Sequence, residues 1–245
     1  MKDYEKYNKI VRAKIPCETE WRKLISADND AGYFAVLKNN IAWLVSENIA
    51  SKLIDFFTAE RLAEQNIYFN GSYSINGKFG VALDNSTVKA LDNSTVEALD
   101  NSTVEAWGNS TVKAWDNSTV KAWGNSTVEA WDNSKVEALD NSTVEAWGNS
   151  TVKALDNSTV KALDNSTVEA LDNSTVKALD NSTVEAWGNS TVEAWGNSTI
   201  IFRHYGLPKF SYDKEKTIFV ILKDELNGKT HIIVNGVETV IENPK

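Results

Sequence analysis

Fourteen Asn-Ser-Thr triplets recur in this chain at eight-residue steps, and each matches the acceptor for N-linked glycosylation. A fifteenth is broken by Lys135. The opening residues, Met-Lys-Asp-Tyr-Glu-Lys-Tyr, contain no apolar leader, so the triplet reads more simply as a turn feeding a strand. Stacked asparagines there would hydrogen-bond as ladders. The residue before each triplet is often Asp, which suits calcium, but a calcium roll needs several oxygen ligands at each turn. Gly stands at that position in residues 108, 124, 148, 188 and 196, so no metal is expected. The repeat holds no His or Cys; Cys17, His204 and His231 stand singly. No nucleophile–base pair, phosphate-cradling Gly loop or metal-ligand spacing occurs. The expectation is a non-enzymatic protein with no catalytic residue, metal or cofactor.

The element that carries these residues is an octad running from 82 to 201, Ala-(Leu/Trp)-(Asp/Gly)-Asn-Ser-Thr-Val-(Lys/Glu). A helix would rotate its apolar positions by about 80° per copy and never build a stripe. Strands fit, because eight is even and their side chains alternate with period two. Asp/Gly, Asn and Ser read as the turn. Thr-Val-(Lys/Glu)-Ala-(Leu/Trp) then reads as a five-residue strand. A buried column of charge is too costly, so Val and Ala face inward.

Charge sets the coil. Pairing each Lys or Glu with the one two copies on brings opposite charges together in nine of twelve cases, as in Lys89–Glu105 and Glu145–Lys161. Like pairs remain at Glu129–Glu145, Lys161–Lys177 and Glu169–Glu185. Opposite neighbours favour stacking, so two octads make one coil. The predicted fold is mainly β: a β-solenoid with two octapeptide repeats per coil and a thin Val/Ala interior. On one face the outward Leu/Trp column contains Trp115, Trp131, Trp147 and Trp195, a candidate contact face for a protein partner or a second copy. The competing reading is that these side chains lie flat and cover strand edges.

The flanks read as caps, since open coil ends are pairing templates. Residues 1–81 form a helical or mixed N-terminal cap domain. A short helix is expected over Thr19–Ser26, burying Trp21, Leu24 and Ile25, and a longer helical pattern from Ile41 to Leu62. Asn70-Gly71 and Asn76-Gly77 then signal hairpins. Residues 202–245 form a C-terminal β-meander cap, with strands at 217–222, 230–234 and 237–241 and turns at Asn227-Gly228 and Asn235-Gly236. Net charge is −9; the octads hold seven Lys against eight Glu and ten Asp. That balance excludes a basic nucleic-acid-binding surface. No stretch is long enough to span a bilayer, so the expected compartment is cytoplasmic, with a virion or release by lysis left open.

The units Ala-Trp-Gly-Asn-Ser-Thr-Val-Glu and Ala-Leu-Asp-Asn-Ser-Thr-Val-Lys resemble the octapeptide repeats of bacterial and bacteriophage proteins. The resemblance covers residues 82–201 and implies a β-solenoid, without an activity. Two functions stay open: a rigid spacer or scaffold presenting its flanks, and an acidic nucleic-acid mimic that inhibits a DNA-binding protein.

Overall fold

The computed structural model describes residues 2–204, 209–212, 219–224, 229–234 and 237–242. Five helices open the chain: α1 (Lys2–Ala13), α2 (Glu18–Ile25), α3 (Asp30–Asn39), α4 (Ile41–Ser46) and, after a 3-10 turn at Ser51–Asp55, α5 (Ala59–Glu64). The starts of α3 and α5 are set by capping side chains. Asn29 accepts from the Gly32 amide at 2.9 Å and Thr58 from the Arg61 amide at 3.3 Å. The long pattern after Ile41 is thus three short pieces, and α1 and α3 add to the expected helices. Leu24 is buried as expected, whereas Trp21 is half-buried and Ile25 points to solvent. The packed centre is aromatic: Tyr4 stacks on Tyr33 with ring centres 4.1 Å apart, and Phe57 meets Phe34 edge-on at 5.1 Å.

Asp30 pins this cluster. Arg61 grips its carboxylate with two hydrogen bonds of 2.7 and 2.9 Å, and the Tyr4 hydroxyl donates to it as well. The Arg61 bonds lead in holding the Asp30 pKa down at about 2. A depressed carboxylate pKa contributes stability above the ordinary carboxylate value, and that contribution fades as pH falls through about 2. Asp30→Asn is therefore expected to lower the melting midpoint of the helical signal at neutral pH and to do so much less in strong acid. Circular dichroism melts at the two pH values check this, and an equal loss at both would refute it.

Then the chain becomes a solenoid. Strands β1 (Ile67–Asn76) and β2 (Phe79–Leu91) lead into thirteen short strands, β3 to β15, running from Thr95–Ala98 to Thr191–Ala194. The register between stacked strands is sixteen residues, as in Val96↔Val112 and Val120↔Val136, so two octads do make one coil. All nine opposite charge pairs and the three like pairs fall side by side, as in Lys153↔Glu137 and Glu129↔Glu145. Lys89–Glu105, Lys113–Glu129, Lys121–Glu137 and Lys161–Glu145 close to between 2.5 and 3.7 Å. The whole stack makes about nine turns.

The interior corrects one expectation. Each short strand has only four or five residues, and Ser is not merely a turn former: all fifteen octad serines are buried. The core is therefore Ser, Val and Ala, with every octad Val and Ala buried as well. The Ser hydroxyls look after themselves in many copies, donating to the carbonyl three residues back; Ser118 and Ser126 reach the Trp115 and Trp123 carbonyls at 2.7 Å. This bond closes the turn and removes much of the cost of burying a hydroxyl.

The Asp/Gly alternation has a backbone cause. All ten Asp and all five Gly at this position have φ between 54° and 71°. Left-handed backbone favours Gly and tolerates Asp or Asn, which is why only these types appear.

Parallel pairing runs past both ends of the octad array. β1 pairs parallel with β2, from Ile67↔Val81 to Asn76↔Leu91. Asn70-Gly71 and Asn76-Gly77 are thus not hairpin turns. They are coil corners, where Asn70, Gly71 and Gly77 adopt the same left-handed backbone that a hairpin would need. At the other end β16 (Thr199–His204), β17 (Lys209–Tyr212) and β18 (Phe219–Asp224) still stack in parallel, β16 beneath β18. Among the described residues, β18, β19 (Lys229–Val234) and β20 (Val237–Glu242) form the antiparallel meander. The turns expected at Asn227-Gly228 and Asn235-Gly236 lie outside the described residues. No helix of the described residues is long and apolar enough to cross a membrane.

Candidate functional site

Two outward columns of Leu and Trp flank the solenoid, one on each face. The column proposed from sequence begins with Leu83 and Leu99, both buried beneath the helices in one cluster with Leu44, Leu53 and Phe69. Trp115 packs against the rim of that cluster and stacks on Trp131, ring centres 5.0 Å apart and planes within 9°. Trp147 lies half-buried with Lys161 5.6 Å above its ring. Trp195 stands apart, 39% exposed, with Lys177 5.4 Å from its ring centre. So the four candidate residues do share a face, but they do not form one uniform patch. The helices hold its first coils, Leu163 and Leu179 separate Trp147 from Trp195, and Trp115 and Trp131 face each other along the stack.

The opposite column, from Leu91 to Trp187, was not singled out from the sequence, although the same octad spells it. Trp107 and Trp123 stack there with ring centres 4.2 Å apart and planes within 11°. Trp107 and Trp187 are 41% and 39% exposed. No residue of this column belongs to either buried cluster.

Comparison with family models, with curated proteins and with solved structures finds no match.

The corner Asp carboxylates work locally. Asp140 and Asp164 accept from the Gly124 and Gly148 amides of the coil before, at 3.0 and 3.2 Å. Burial raises the pKa of Asp84, and burial followed by the neighbouring Asp84 and Asp116 charges raises that of Asp100. Asparagine ladders occur at Asn93–Asn109–Asn125 and Asn181–Asn197, with contacts of 3.4 to 3.5 Å. Among the described residues no group of three His, Cys, Asp or Glu is placed to hold a metal ion. His231 faces Glu238 at 2.6 Å on the terminal hairpin. Among helices α1 to α4 lies a cavity of about 320 Å³ lined by Trp21, Trp43, Leu24 and Cys17. The Glu20 and Thr19 amides at the start of α2 pull the Cys17 thiol below its ordinary pKa.

Proposed function

We propose that the protein is a non-enzymatic spacer: a rigid β-solenoid that holds its N-terminal helices and C-terminal hairpin at a fixed separation. The observation that carries this reading is the unbroken register. From β3 to β15 each strand sits on the one sixteen residues before it, with no bulge. A solenoid of this kind is quasi-one-dimensional, so copy number sets length and little else. The likeness of the octads to those of bacterial and phage proteins supports a structural role in such a setting. The Leu/Trp columns are then the surfaces for a protein partner or a second copy.

The acidic-mimic reading has less in its favour. Mimicry of a phosphate backbone needs continuous negative tracks. Here the corner Asp columns are interrupted by Gly, and each flat face mixes Lys with Glu. Spin labels on Cys17 and on the Thr239→Cys variant test the spacer. Pulsed dipolar distances should be narrowly distributed, and inserting four further octads should lengthen them by about 9.6 Å along the axis. A broad distribution, or a length indifferent to the insertion, would reject it.

A further inference from the structure

We propose that the face bearing the Leu91-to-Trp187 column binds a second copy of the chain, with the two solenoid axes antiparallel. This rests on the reading of the Leu/Trp columns as contact surfaces. The helices cover the first coils of the other face, at Leu83, Leu99 and the rim at Trp115. Among the described residues this face carries no such cover, so a long partner can lie along it.

Charge selects the arrangement. The outward charges on this face run Lys89, Glu105, Lys121, Glu137, Lys153, Glu169 and Glu185, one per coil. A two-fold axis parallel to the solenoid would set each charge against its own copy, which is repulsive. Now take a two-fold perpendicular to the solenoid, lying in the interface and passing between the coils of Lys121 and Glu137. Lys121 of one copy then meets Glu137 of the other, Glu105 meets Lys153, and Lys89 meets Glu169. Every pair is opposite, and each occurs twice. Moving the axis by half a coil either way, onto the coil of Lys121 or of Glu137, makes most of the central contacts like-charged. Antiparallel packing at this register is therefore favoured over its nearest alternatives.

Size agrees with charge. At the same register Trp123 faces Leu139, Trp107 faces Leu155 and Leu91 faces Leu171, so within the overlap no Trp meets a Trp. Large against small is how two ridged surfaces interdigitate. Six coils of five-residue strands cover about 480 Å² per copy, or about 950 Å² in total, which lies in the range of weak, transient interfaces. Association should accordingly be concentration-dependent and weakened by salt.

The test is sedimentation of the full chain at low ionic strength, up to about 1 mM. Wild type should show a monomer–dimer equilibrium that weakens on adding salt. Leu139→Trp places Trp against Trp on both sides of the two-fold and should weaken the dimer by at least about tenfold. Its fold is safe, because Trp already occupies this position in seven octads. Trp123→Leu combined with Leu139→Trp restores the Leu–Trp contact and should restore dimerisation. A wild type monomeric throughout would overturn the proposal, and so would a Leu139→Trp dimer of unchanged strength. Failure of the double variant to recover would do the same. None of these outcomes touches the label distances that test the spacer, so the two readings fail separately.

Discussion

Val144→Asp is expected to unfold the middle of the solenoid, whereas Thr143→Asp beside it should leave the fold intact. Val144 is 1% exposed, within a column of valines stacked sixteen residues apart. Its side chain contributes about 1.5–3 kcal/mol by burial. An isolated carboxylate in its place adds a penalty of several kcal/mol. Together these rival the whole stability of a typical domain, about 5–15 kcal/mol. Damage does not stay local, because each coil is stabilised by the coils above and below it. Thr143 points outward and is exposed, so a charge there meets water. Far-ultraviolet circular dichroism and thermal melts decide the matter. An unchanged midpoint for Val144→Asp would mean that the valine column is not the core.

The second large effect is one of orientation. Deleting Ala138–Lys153 removes one whole coil, and deleting Ala138–Glu145 removes half of one. Both products should fold, because both faces are lined by the same Ser, Val and Ala and either strand can stack on the next. Charge does not object to the shorter deletion either. Glu129, which sits beside Glu145, would instead sit beside Lys153. What differs is where the C-terminal strands point. The sixteen-residue deletion shortens the solenoid by about 4.8 Å and preserves the azimuth. The eight-residue deletion turns everything after it by about half a turn relative to the helices, from the two-octad coil. Labels on Cys17 and at Thr239 would report the first as a shortening and the second as a lateral displacement. Aggregation of the eight-residue deletion alone would show that the faces are not equivalent.

Much of this architecture is legible in the octad. An even period demands strands, alternating charge fixes the coil at two units, and Asp or Gly marks a left-handed corner. Ser was hidden by its own versatility. Ser86, Val88 and Ala90 share one parity and so one face, yet the turn propensity of Ser argued for the loop. The first coil was hidden in the same way, since Asn-Gly suits a hairpin and a solenoid corner equally. In α1, Tyr7 and Val11 lie four apart and are both buried, but six charged residues in that helix obscure the stripe. The covering of Leu83 and Leu99 had no local signal at all. Leu179 sits in the same octad context and is only half-buried, because what separates them is distance along the array from the helices.

That first, irregular coil has a consequence for how the chain finds its fold. Identical octads are interchangeable partners: a strand that stacks one coil too early satisfies nearly the same hydrogen bonds and buries the same Val and Ala. An array of such units has a ladder of near-degenerate misassembled states, each with a sixteen-residue loop thrown out. β1 breaks the degeneracy. Its Ile67 and Phe69 are buried in the helical cluster along with Val81 and Leu83 of β2, and no octad outside this end offers that combination. Assembly that starts there is told where to begin counting, and each later coil inherits its place from the one before. Detached from this end, the same fifteen octads would be expected to populate many registers at once.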